Sequence, residues 1–237
     1  DAMAGRVIFI GDGDQRLRED YLRILRFFRF NAWYGAGIDA EGLAACERQR
    51  GGRAKIAKER TWKEFKKLLA AEMPRAAVAA MSLSGVLDEV LPEHRGTDGL
   101  HDLELTEQLT GVQPDSMLRL MALLPRSALA VQQTSQALRL SNDETARLTM
   151  WAADNLPDPI GMKSKELRAT LYWHGKQAVV DRARLAGADV RDVLAAIRAW
   201  RRPDFPINGD DALAAGLKGR DIGEALSRVA MIWVESD

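Results

Sequence analysis

The run from Arg18 to Phe30 constrains the chain most, because it places two different demands on one helix. Leu17, Tyr21, Ile24, Leu25 and Phe28 recur at the i, i+4, i+7, i+8, i+11 spacing of an amphipathic helix, so one stripe faces a core. The other stripe carries Asp20, Arg23, Arg26 and Arg29 at intervals of three, close enough on a helix surface to form a continuous polar ribbon. A single helix is expected through the whole run.

On a solvated face, Asp20 and Arg23 would simply pair, at a gain of only about 0.3 kcal/mol. Phe27 and Phe30 beside the arginines are unusual for such a face and ordinary for a nucleotide pocket. An ionised Asp only accepts hydrogen bonds, whereas Arg only donates them, in a planar fork. Side by side they complement a base edge with an exocyclic amine next to a ring-nitrogen acceptor. Cytosine and adenine present that edge. Guanine and uracil present the reverse, setting carbonyl against carboxylate.

The pattern Glu19-Asp20-x-x-Arg23-x-x-Arg26-x-x-Arg29-Phe30 resembles the nucleotide-selection motif of the class II tRNA nucleotidyltransferases, the CCA-adding enzymes and bacterial poly(A) polymerases. The resemblance implies that Asp20 and Arg23 form a protein template for CTP and ATP, while Arg26 and Arg29 help to hold the nucleotide. Further on, Ile56, Glu59 and Arg60 match the family's Ile-Ser-x-Glu-Arg motif, with Ala57 in place of Ser. Leu91-Pro92-Glu93 resembles the end of its next segment. Phe205-Pro206-x-x-Gly209 and Gly219-Arg220-Asp221-Ile222-Gly223 resemble its tail, with Arg220 where Pro is frequent.

The 237 residues suffice for one large or two small domains. The formal net charge is zero, so bulk charge does not announce a nucleic-acid binder. Local charge does. From Arg48 to Lys67 nine basic residues stand against two acidic ones, a net of plus seven; from Asp88 to Glu107 seven acidic residues face only Arg95. Arg53, Lys55, Lys58, Lys63 and Lys66 in the basic stretch, with Gly219 and Arg220 in the tail turn, are the candidate RNA contacts. For any single Lys, a solubilising face is the simpler explanation; the cluster favours RNA.

The lone Cys46 excludes an internal disulfide, no apolar run spans a membrane and the opening residues lack a signal peptide, so a cytoplasmic location is expected. The chain begins at Asp1 without an initiator methionine, which fits a fragment of a longer product. Residues 6–10 (Arg-Val-Ile-Phe-Ile) read as a strand ending at the turn Gly11 to Asp14. With no partner strand, it either packs as an extended segment or joins a sheet upstream of Asp1. The resemblance favours the second, as the remnant of a catalytic head.

That head would carry a Gly-Gly turn and an Asp-x-Asp pair for Mg2+. Asp12-x-Asp14 sits in a plain turn, Gly51-Gly52 has no Asp-x-Asp after it, and Asp210-Asp211 after Asn208 reads as a helix cap. His101-Asp102 has the dipeptide of the HD phosphohydrolases without further ligands, and chance explains it better. Catalytic residues and metal ligands are therefore expected outside the chain, which by itself is expected to be inactive.

Helices are expected over 39–46, 59–71, 114–124, 129–140, 142–154, 164–185 and 222–233. Together with the resemblance this implies an all-α neck, body and tail: 1–13 head remnant, 14–110 neck, 111–200 body and 201–237 tail. The implied function is base selection and tRNA binding within an enzyme that adds CMP and AMP to the tRNA 3′ end, with Mg2+ in the head, ATP and CTP as substrates, and an oligomeric state the sequence leaves open. A poly(A) polymerase is the alternative within the class; a non-catalytic helical RNA-binding module is the alternative outside it.

Overall fold

The computed structural model describes residues 5–153, 155–187 and 189–236, apart from the side chains of 53–55, 235 and 236. Among the described residues, all regular secondary structure is helical. The chain divides into two compact units, residues 1–154 with 187–189, and residues 155–186 with 190–237.

The first unit contains α1 (Gly13–Glu19), α2 (Leu22–Tyr34), α3 (Ala40–Gln49), a 3-10 turn (Arg50–Lys55), α4 (Lys58–Leu69), α5 (Arg75–Leu83), α6 (Val86–Val90), α7 (Asp98–Thr110), α8 (Ser116–Leu123), α9 (Ala128–Leu138) and α10 (Asn142–Ala153). Helix α2 packs on α4 and α5, α1 on α3, α7 on α8, and α9 on α10. In α4, where a helix is expected over 59–71, the apolar residues Trp62, Phe65, Leu68 and Leu69 recur at helical spacing and are all buried. Asp39 caps α3 by accepting the Gly42 N–H at 2.7 Å, as its position before the periodic run implies.

Two expectations are corrected here. Residues 6–10 form no strand; the segment is irregular and is held by side chains and single hydrogen bonds. Phe9 stacks on Phe27 with centroids 5.3 Å apart, the Gly5 carbonyl accepts the Ala36 N–H, and Arg16 donates to the Ile10 carbonyl. A ladder needs a second strand, and none is present among the described residues.

The run 18–30 is also two helices, not one. Asp20 adopts an extended conformation (φ −153°, ψ 103°), and its Oδ1 accepts the Leu22 N–H at 3.0 Å. A short carboxylate competes well for local backbone N–H groups and so favours a helix boundary over a helix interior. The core stripe survives the break, with Leu17, Ile24, Leu25 and Phe28 buried. Phe27 is core as well, which removes it from the expected nucleotide face.

A test of the α1–α3 pairing comes from Asp14. Its carboxylate accepts hydrogen bonds from Arg48 (2.5 Å) and Gln49 (2.8 Å), and these, Arg48 first, lower its pKa from 3.8 to about 2. The folded value lies below the unfolded one, so this contribution to stability is present above about pH 4 and is lost as the pH falls towards 2. An Arg48→Ala variant should return the Asp14 midpoint towards 3.8 in a carboxyl-carbon NMR titration. A midpoint still near 2 would show that Arg48 is not the cause.

The second unit holds α11 (Ser164–Leu185), α12 (Arg191–Ala199), α13 (Gly209–Ala214) and α14 (Arg220–Ser236). Its core joins Leu156, Leu167, Leu171, Val179 and Ile197. Gly175 (φ 79°, ψ 159°) kinks α11, a conformation that glycine adopts without a Cβ penalty. Asn208 caps α13 in a reciprocal pair with Asp211, the role its place before Gly209-Asp210-Asp211 suggests. Tyr172 belongs to the core, where it meets Trp233 edge-on at 5.7 Å, while Trp173 is half open to solvent.

Candidate nucleotide and RNA-binding site

Helices α2 and α4 run side by side in the same direction, as three successive contacts show. Asp20 at the start of α2 faces Arg60 on α4 (3.6 Å), Arg29 meets Glu64 (2.7 Å), and the Trp33 indole N–H donates to the Lys67 carbonyl (2.8 Å). The selection residues and the basic helix thus share one face of the first unit.

At its head, Asp20 and Arg23 do not pair through their side chains. Arg23 Nη1 donates to Glu19 Oε2 at 2.6 Å and to the Arg16 carbonyl at 2.8 Å, and its own N–H bonds the Asp20 carbonyl. The hydrogen bond from Arg23 holds the Glu19 carboxyl below the usual range, and Arg16 adds to the effect. Glu19 therefore orients Arg23, while Asp20 Oδ1 is fixed by the helix start. Gly52 packs directly against the Tyr21 ring, so a side chain at position 52 would displace the junction. Of the glycine pair at 51–52, Gly52 serves this close approach, whereas Gly51 faces open space.

Further along, Arg26 (4.0 Å) and Arg29 converge on Glu64, which is almost fully buried. Arg29 also lies over the Phe30 ring, 4.2 Å from its centroid. Glu64 is a residue sequence reasoning missed. It sits at the rim of the apolar stripe beside Leu68, the only acid in α4 after Glu59, and that rim position was the signal available.

The basic stretch divides by engagement. Lys58 donates to the Gln136 carbonyl (3.2 Å), and Glu59 pairs with Arg139 (2.5 Å). Lys66 pairs with Glu144 (2.6 Å), which also accepts from the Trp62 indole. Burial by itself would raise the Glu144 pKa; hydrogen bonds from Lys66 and the Ser141 N–H outweigh it and hold the carboxyl below its usual value. Lys63 and Lys67 are exposed and make no ion pair among the described residues. The side chains of Arg53 and Lys55 lie outside the described set. Gly219 (φ 57°) and Arg220 are exposed at the start of α14, in the second unit.

No three His, Cys, Asp or Glu residues are grouped to hold a metal among the described residues. Asp12 caps α1 through the Gln15 N–H and Asp14 is taken by Arg48 and Gln49, so the Asp-x-Asp spacing is used for structure. Asp210 and Asp211 lie in the α13 cap. His101 Nδ1 lies 2.5 Å from Arg75 Nη1. No described helix is long and apolar enough to cross a membrane.

Residues 37–96, which include all of α3 and α4, match a family described as the probable RNA and SrmB-binding site of polymerase A. The mitochondrial CCA tRNA nucleotidyltransferase 1 of Mus musculus is 28% identical over 248 residues, covering 98% of this chain and 55% of the relative. A solved CCA-adding enzyme of Thermotoga maritima complexed with tRNA has a similar fold (TM-score 0.63, 18% identity, 94% of this chain and 59% of that one). So has a CCA-adding enzyme in complex with CTP (TM-score 0.65, 17% identity, 94% and 58%). The chain thus spans little more than half the length of the relatives it matches.

Proposed function

We infer that this chain, which is similar in sequence and fold to the C-terminal portion of class II CCA-adding enzymes, is the base-selecting and tRNA-binding part of a template-independent nucleotidyltransferase. The observation that carries this is the α2–α4 face, where Asp20, Arg23, Arg26 and Arg29 stand alongside the basic helix that the RNA-binding family match covers. Asp20 accepts from the exocyclic amine of cytosine or adenine, and Arg23, oriented by Glu19, donates to the adjoining ring nitrogen. Arg26 and Arg29, anchored on Glu64, hold the nucleotide from the next turn of α2. Lys63 and its exposed neighbour Lys67 take RNA phosphates together with Lys58, Lys66, Arg53 and Lys55, and Gly219 and Arg220 contribute at the tail.

The functional divisions are a neck over 14–110, a body over 111–200 and a tail over 201–237, in a cytoplasmic enzyme that uses CTP and ATP on tRNA. Mg2+ is the metal expected in this family, but the carboxylate pairs of this chain do not fit it, being engaged in caps and an ion pair. Nucleotidyl transfer accordingly needs residues outside the chain, which is inactive alone. A poly(A) polymerase is the second reading, favoured by the description of the matching family, and it would keep the same adenine-compatible edge.

The test is a titration of the chain with a tRNA lacking its 3′ nucleotides, at about 50 and 200 mM salt, beside a Lys63→Ala/Lys67→Ala variant. Each lost phosphate contact should lower the slope of log affinity against log salt by about one, so the variant slope should fall by about two. Equal binding of unstructured RNA would favour the poly(A) polymerase reading, and no binding of either RNA would refute both.

A further inference from the structure

The exposed stripe of α2 does not stop at the arginines. Phe30, Trp33 and Tyr34 continue it, with 38%, 47% and 66% of their surface open to solvent. The three rings form one group: Phe30 and Tyr34 have centroids 6.2 Å apart, and Trp33 and Tyr34 6.4 Å. Their posture is fixed from beneath. The Trp33 indole N–H is spent on the Lys67 carbonyl, and Arg29 lies over the Phe30 ring.

Large rings held open on a rigid helix are uncommon on a monomer surface and point to a ligand. Charge says which. On the side towards the selection residues the rings meet Arg26 and Arg29, which share the buried Glu64 carboxylate, with exposed Lys63 and Lys67 on α4. On its other side Trp33 borders a pocket lined by Glu72, Glu104, Glu107 and Arg119; the cationic side is the one that continues the α2 stripe. Aromatic faces interleaved with cationic side chains match stacked bases on a phosphate backbone.

Resting on the function proposed above, we propose that Phe30, Trp33 and Tyr34 form a stacking platform for unpaired RNA bases, with Lys63 and Lys67 taking the phosphates. Tyr34 lies eight residues beyond Arg26, about 12 Å along the helix at about 1.5 Å per residue. The platform therefore takes the last unpaired bases of a strand whose end reaches the selection residues.

The experiment measures binding of the full chain to an RNA hairpin with a blunt end and to the same hairpin with a three-nucleotide 3′ overhang. Wild type is compared with Tyr34→Ala and with Trp33→Leu, which keeps apolar bulk. The overhang should tighten wild-type binding at least tenfold, and each variant should lose at least fivefold on the overhang hairpin while binding the blunt one as wild type does. An overhang that adds nothing, with salt-dependent binding of the blunt hairpin retained, overturns the platform and leaves the RNA-binding function standing. Failure to bind either hairpin overturns both. A lower melting temperature of Tyr34→Ala with unchanged overhang binding would identify the rings as a packing face and also overturn the proposal.

Discussion

Replacing Arg119 with Ala should cost about 3–5 kcal/mol of stability, the range for removing one partner of a buried ion pair. Arg119 is 1% exposed. Its guanidinium donates to Glu107 Oε2 through Nε (3.0 Å) and Nη2 (2.7 Å), and to the carbonyls of Leu69, Ala71 and Glu72. One α8 side chain thus satisfies the carbonyl groups at and just beyond the end of α4, a place where a cation is also favoured by the helix dipole. Lys cannot supply the planar fork, so Arg119→Lys should rescue little. An Arg119→Met/Glu107→Leu double variant should recover only part of the loss, because the three carbonyls still lack donors. Denaturant unfolding followed by circular dichroism reads this directly, and a loss below about 1 kcal/mol for Arg119→Ala would contradict it.

The largest effect on function is expected at Asp20. In a complete nucleotidyltransferase that contains this chain, Asp20→Ala should abolish most of the preference for CTP and ATP over GTP and UTP. A site built to hydrogen-bond a substrate group rejects the analogue that lacks it strongly, and loss of the acceptor removes that rejection. The same change removes the Leu22 N–H partner, at about 1 kcal/mol. Asp20→Asn separates the two effects. Asn caps as well as Asp, so stability should hold, while its amide offers a donor as well as an acceptor and selectivity should still drop. Competition among the four labelled nucleotides is the measurement, and unchanged ratios in Asp20→Asn would take base selection away from Asp20.

Much of this architecture was legible in the sequence because helices announce themselves through apolar period and caps. The stripe of α4, the Asp39 and Asn208 caps and the 164–185 helix all follow from such local signals. Two local readings failed for physical reasons. Periodicity ran smoothly through Asp20, yet its carboxylate competes for backbone N–H groups and breaks the helix there. Residues 6–10 had a strand composition, but strand formation depends on a partner that local pattern does not supply. The residues that fasten the site were the least legible. Glu64, Glu144 and Arg119 act across 35, 78 and 50 positions of sequence, on Arg29, Lys66 and the Leu69 carbonyl, and no local pattern reports such partners.

The central claim is that the Asp20–Arg23 edge reads cytosine and adenine. Arginine side-chain N–H resonances of the chain, assigned with Arg23→Lys and Arg26→Lys variants, can be followed while each of the four nucleoside triphosphates is added in turn. ATP and CTP should shift the Arg23 signal, GTP and UTP should leave it in place, and Asp20→Ala should erase the difference. Equal shifts with all four nucleotides, from phosphate contact alone, would contradict the claim.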